Sequence, residues 1–199
     1  MKKFLLYNLF IFAVYGQWST CIDNTIQDKN GDTALHQACR DGDIARVESL
    51  LKSGSSVFAK NIAGNTPLHV ACAHNGNKAI VKLLFENGAL IEATNNLVET
   101  PLHIACFHGN GSIVRFLLKK NASVKAKDTF GDTPFHNVCP HGTPNIAMLL
   151  MKSGTPIDAK NNSNETPLDR AKKFDNTAII EILEKAHTTA AILEHLMQQ

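Results

Sequence analysis

The chain has 199 residues, 44% of them apolar and 19% charged, with 20 basic against 18 acidic side chains for a formal charge of +2. That apolar content excludes a chain too polar to bury a core, and the length suffices for one domain or one elongated array. The near-balance of charge excludes wholesale binding of nucleic acid or anionic membrane, which needs basic patches. The first element is an apolar run from Phe4 to Tyr15, preceded by Lys2 and Lys3. A membrane span needs about 20 apolar residues, whereas the core of a secretory signal needs about 7 to 15, and the run falls in the second range. Three readings stay open for residues 1–20: a cleaved signal, with Val14 and Gly16 placed for a cut before Gln17; an uncleaved anchor helped by Trp18; or an apolar helix packed on the domain. The first is the expectation. Removing Lys2 and Lys3 with this segment would leave 18 basic against 18 acidic residues, so the remainder is neutral by composition.

From Thr33 on, the chain repeats itself. Thr33-Ala34-Leu35-His36 returns as Thr66-Pro67-Leu68-His69, Thr100-Pro101-Leu102-His103, Thr133-Pro134-Phe135-His136 and Thr166-Pro167-Leu168-Asp169, at intervals of 33, 34, 33 and 33. Each Thr is placed to cap a helix whose first position accepts Pro, because the first N–H of a helix has no partner within it. This inner helix is expected to end near Gly42, Gly76, Gly109 and Gly142. An outer helix then carries paired apolar residues at its end: Leu50-Leu51, Leu83-Leu84, Leu117-Leu118, Leu149-Leu150 and Ile182-Leu183. Neither helix buries its apolar face alone, so the units must stack into a continuous core.

Departures from the pattern mark local expectations. The segment 73–76 holds one extra residue, which bulges the turn of the second unit. Val98 stands where Gly31, Gly64 and Gly131 allow positive φ, and a β-branched residue resists that conformation, so the third hairpin is expected to be distorted. Pro140 predicts a shortened inner helix in the fourth unit, with Thr143-Pro144 opening its outer helix. Asp169, Lys172, Lys173 and Asp175 give the fifth unit a polar surface suited to a terminal cap. Residues 188–199 are expected to form a further helix covering its edge.

With this period and core motif the sequence resembles the ankyrin repeat family from near Ile26 to near Ala186. The resemblance implies an all-α repeat solenoid, each unit a helix-turn-helix with a β-hairpin-like loop. Its repeats fall at about 28–60, 61–94, 95–127, 128–160 and 161–187 within a domain of residues 21–187. It further implies that His36, His69, His103 and His136 hydrogen-bond between neighbouring turns, with Thr33, Thr66, Thr100, Thr133 and Thr166 as structural caps. Partners in this family bind the hairpin tips and the concave face of the inner helices. The positions here that break the polar expectation are Ile62, Leu97, Phe107 and Phe130, which would form one apolar stripe. Beside them, His74, His108 and His141 recur eight residues after the motif Thr as a second ladder. His187 and His195 are expected to face solvent.

Cys39, Cys72, Cys106 and Cys139 share one repeat position, and a helix width separates equivalent positions, too far for a disulfide. They are expected to be buried thiols, leaving Cys21 near the leader. Neither histidine ladder brings ligands within about 2.1 Å of one metal ion, and no phosphate loop, zinc motif or nucleophile elbow occurs. No catalytic residue, metal, cofactor, nucleic acid or small-molecule substrate is therefore expected. The sequence points to a monomeric, non-enzymatic scaffold that binds a protein, exported to the periplasm or beyond. Its Asn, Lys and Ile usage resembles that of bacteria with AT-rich genomes, in which ankyrin proteins act on host proteins; a host-directed role follows by analogy. The alternatives are an envelope protein of the bacterium's own physiology, or a structural module tethered by the uncleaved N-terminal segment.

Overall fold

The computed structural model describes residues 26–73 and 77–197; the leader 1–20, Cys21 and the extra-residue turn with His74 lie outside them. Ten helices occur among the described residues, paired as inner and outer: α1 (Ala34–Asp41) with α2 (Ile44–Lys52), α3 (Pro67–Ala73) with α4 (Lys78–Glu86), α5 (Pro101–Phe107) with α6 (Gly111–Lys119), α7 (Pro134–His141) with α8 (Pro144–Lys152), and α9 (Pro167–Lys173) with α10 (Thr177–Met197). No helix among these residues is long and apolar enough to cross a membrane.

The core runs the length of the stack rather than gathering at a centre. From the inner helices it takes Leu35, Leu68, Leu102 and Phe135, and from the outer helices Ile80, Leu84, Ile113, Leu117, Ile146, Leu150, Ile179 and Leu183, all fully buried. Each such side chain contributes about 1.5 to 3 kcal/mol on burial. The first unit differs in one position: Arg46, exposed and facing Asp41 at 3.8 Å, replaces the isoleucine that the later outer helices bury there.

Every inner helix opens on the motif threonine. His36 supplies the second half of the capping box, its Nδ1 accepting the Thr33 N–H at 3.2 Å, and His69, His103 and His136 repeat the arrangement. In the fifth unit Asp169 does the same through Oδ2 at 2.9 Å. Histidine thus stands where a capping box ordinarily has Glu or Gln.

Three expectations are corrected. The third hairpin is not distorted. Val98 adopts φ +60, close to the +75 and +74 of Gly31 and Gly131, and its N–H bonds Asn95 O at 3.0 Å as theirs bond Asp28 and Asp128. The strain is held in one residue and the loop is preserved. The inner helix of the fourth unit is not short either, because Pro140 has a helical φ of its own and sits in the last turn. What changes is the exit: Gly142 leaves at φ −74 and ψ 160, whereas Gly42 leaves left-handed at φ 74. Finally, the boundary expected at 187 is absent. Neither Gly nor Pro occurs between Thr177 and Met197, nothing stops the helix, and the outer helix of the fifth unit continues through the segment assigned to a separate cap.

Candidate functional site

Each hairpin tip is fixed to the one before it. The Ile62 N–H donates to Asn30 O, Asn96 to Ala63, Thr129 to Leu97 and Asn162 to Phe130, at 2.9 to 3.0 Å. Within each tip an Asn or Asp side chain accepts the N–H four residues on: Asp28 from Asp32, Asn61 from Asn65, Asn95 from Glu99, Asp128 from Asp132 and Asn161 from Glu165. Such turns are the preferred use of Asn and Asp. Where this residue is Asn, its amide reaches back a repeat, from Asn61 to Asp32 Oδ1, Asn95 to Asn65 Oδ1 and Asn161 to Asp132 Oδ1.

The motif histidines tie the same junctions from below. Nε2 of His36 lies 2.9 Å from Asn65 O, that of His69 3.0 Å from Glu99 O, that of His103 3.1 Å from Asp132 O and that of His136 3.2 Å from Glu165 O. A carbonyl only accepts and a main-chain N–H only donates, so Nε2 carries the proton and Nδ1 does not. The rings are buried and neutral. Burial, the largest cause, holds all four below the usual histidine value, His69 at about 4. Asp169 has no such donor, and no sixth hairpin comes after it among the described residues.

The result is a hydrogen-bonded row of tips with the ends of the inner helices beside it. Four of the expected contact residues stand exposed on it: Ile62 at 71%, Leu97 at 45%, Phe107 at 44% and Phe130 at 59%. They do not all share one repeat position. Leu97 and Phe130 occupy the same tip position on adjacent hairpins joined through Leu97 O. Ile62 sits one position earlier and leans back toward the first hairpin; its Cγ1 would lie 3.1 Å from any Cβ placed on Gly31. Phe107 ends α5 and meets the His108 ring edge-on at 5.2 Å. His108 is exposed, while His74 and the His141 and His195 side chains lie outside the described residues.

His187 corrects another expectation: it is partly buried, and its Nε2 lies 2.7 Å from Asp158 Oδ1. A search by sequence spacing misses this contact, since 29 residues separate the two. The four cysteines are buried free thiols, as their spacing implies, and burial pushes Cys39 and Cys139 up to about 12 and Cys72 and Cys106 further up. No group of three or more His, Cys, Asp or Glu placed to hold a metal occurs among the described residues.

Two further tip residues prove informative: Glu99, which the sequence already offers as a tip candidate one residue before the motif Thr100, and Asp128, which it does not. The signal for Asp128 is visible when the repeats are aligned, as a carboxylate at a tip position where both neighbouring repeats carry Asn.

Comparison with known proteins agrees with this architecture. A family model described as ankyrin repeats in three copies matches residues 3–95, 64–128 and 102–191. Among curated proteins, the chain is 43% identical over 49 residues to the human SH3 and multiple ankyrin repeat domains protein 2, covering 25% of this chain and 3% of that one. It is 35% identical over 66 residues to the Drosophila melanogaster transient receptor potential cation channel subfamily A member 1, 32% of this chain and 6% of that one. It is also 46% identical over 48 residues to the Drosophila melanogaster nuclear factor NF-kappa-B p110 subunit, 24% of this chain and 5% of that one. The chain thus spans only a small part of the curated relatives it matches.

Proposed function

Because this chain belongs to the ankyrin repeat family, a family whose repeats mediate protein–protein interaction, we propose that it is a non-enzymatic scaffold that binds one protein partner through its third and fourth hairpin tips and the adjoining inner-helix ends. The observation that carries this reading is the exposure of Leu97, Phe107 and Phe130 on tips and a helix end whose backbone is hydrogen-bonded within and between repeats. Large apolar side chains held in water by rigid neighbours lose little entropy on contact with a partner, and such residues dominate the energetics of interfaces. The apolar leader supports export as the route by which the scaffold reaches that partner, with a host protein as the target by analogy. It acts as a monomer.

The test compares affinity capture by the unaltered chain and by the Leu97→Ser, Phe130→Ser double variant, with captured proteins identified by mass spectrometry. A protein retained by the first and lost by the second, at an unchanged melting temperature, is the expected result. Equal capture at equal melting temperature overturns the reading, and a lowered melting temperature assigns both residues to packing. For the route, the intact mass in each cell fraction decides. Soluble protein lacking the leader is expected; full-length protein in the membrane pellet indicates a tether, and full-length soluble protein removes export.

A further inference from the structure

The residue before each motif threonine is acidic in four of the five repeats: Asp32, Glu99, Asp132 and Glu165, with Asn65 in the second. Three of those carboxylates are neutralised inside the chain. Asp32 Oδ2 pairs with Arg40, Asp132 Oδ2 with Arg170, and Glu165 Oε1 with Lys173. Glu99 is the exception: no basic side chain among the described residues pairs with it.

The fifth repeat shows what the third lacks. There Asn161 Nδ2 approaches Glu165 Oε2 at 3.4 Å, and Lys173 Nζ takes Oε1 at 2.7 Å. In the third repeat Asn95 Nδ2 likewise takes Glu99 Oε2, at 2.8 Å, but the residue aligned with Lys173 is Phe107. Across the junction the position that elsewhere supplies a carboxamide, from Asn61, Asn95 and Asn161, holds Asp128. A second negative charge thus stands where the fold ordinarily places a donor, and the exposed Leu97, Phe107 and Phe130 belong to the same two repeats.

We infer that Glu99 and Asp128 form the charged centre of the binding face and receive an Arg or Lys side chain of the partner, flanked there by apolar residues that pack on Leu97, Phe107 and Phe130. This rests on the proposed scaffold function and specifies its ligand: a basic-apolar peptide segment. The partner's cation takes the place that Arg40 has on Asp32 and Lys173 has on Glu165. Charge complementarity within an apolar surround favours it over an acidic or purely apolar segment, and the Phe107 ring offers a cation a second favourable contact.

The experiment selects peptides displayed on phage against the full chain. The most enriched sequence is then synthesised, together with a copy whose basic residues are replaced by Glu. Enriched peptides are expected to carry Arg or Lys beside apolar residues, and the Glu copy to lose binding. Glu99→Gln keeps the Asn95 contact but removes the charge, and should weaken binding on the order of tenfold. Phe107→Lys supplies the internal cation found in the fifth repeat and should abolish binding. Melting temperatures close to that of the unaltered chain accompany both results, since Phe107 is exposed and Glu99→Gln retains the acceptor for Asn95. Enriched peptides without a basic residue, or affinity unchanged by Glu99→Gln, overturn the inference. If such peptides still lose binding in the Leu97→Ser, Phe130→Ser variant, the scaffold reading survives and only the charge assignment falls. If they keep it, or if nothing is enriched, both fall.

Discussion

His69 donates from Nε2 to the main-chain oxygen of Glu99 across 3.0 Å, linking the second repeat to the third, while its Nδ1 receives the N–H of Thr66. Adding a proton at Nδ1 would set two donors against each other, inside a site that burial already makes hostile to charge. All four motif histidines share this arrangement, and all four are held below the ordinary value of 6.5.

Acid should therefore loosen the stack earlier than it does a protein stabilised by carboxylates alone. The unfolded chain binds protons at these histidines before the folded one does, so stability is complete above about pH 6.5 and falls as pH drops toward the folded values, about 4 for His69. Each ring contributes a slope of at most about 1.4 kcal/mol per pH unit. Asp28, Glu165 and Asp169, whose hydrogen bonds hold them below ordinary carboxylate values, add their loss only at lower pH. Urea midpoints measured at about pH 7.5, 6.5, 5.5 and 5.0 should decline across this series. A flat profile down to about pH 5 contradicts the assignment.

Val98 should be the easiest place to stabilise the protein. Its left-handed φ of +60 costs a β-branched residue on the order of 1 to 2 kcal/mol, and its side chain is 44% exposed, so little packing is lost on replacement. Val98→Asn accepts that conformation and should raise stability by about 1 kcal/mol, seen as a higher urea midpoint at constant slope. A lower midpoint would mean that Val98 packs in a way that outweighs its strain.

The junction between the third and fourth repeats should open before its neighbours. It keeps the Thr129-to-Leu97 and His103-to-Asp132 bonds, but Asp128 has no amide to offer, and Thr143 stands where Asn110 and Asn176 reach back to Cys72 O and Cys139 O. In native-state hydrogen exchange the Thr129 amide should be less protected than that of Asn162. Asp128→Asn should restore a bond, raising stability by about 0.5 to 1.5 kcal/mol, and weaken binding of a basic peptide at the same face. Equal protection at the two amides would remove the distinction between the junctions.

The four repeat cysteines should be silent to thiol reagents. Thiolates are the reacting species, and burial raises these groups far above neutral pH. Mass analysis after treatment with iodoacetamide at about pH 8 should find Cys39, Cys72, Cys106 and Cys139 unmodified in the native protein and modified in urea. Modification of Cys72 without denaturant would contradict its burial.

The repeat, its caps and its core were legible in the order of residues alone. They depend on which residue type recurs at which local position: Thr before Pro, Leu two residues after the Thr, Cys beside a small residue. A local rule applied about every 33 residues survives without knowledge of neighbours, and one departure, Thr143-Pro144, was readable for the same reason. Tertiary packing settled the relations between repeats. Whether Val98 breaks a hairpin depends on the bonds that hold the hairpin from outside. The pairing of His187 with Asp158, and the lack of a cation beside Glu99 among the described residues, arise from side chains brought together across layers of the stack. Stacking brings equivalent positions face to face, so an Asn, Asp or Phe acquires its meaning from the residue opposite it in the next layer.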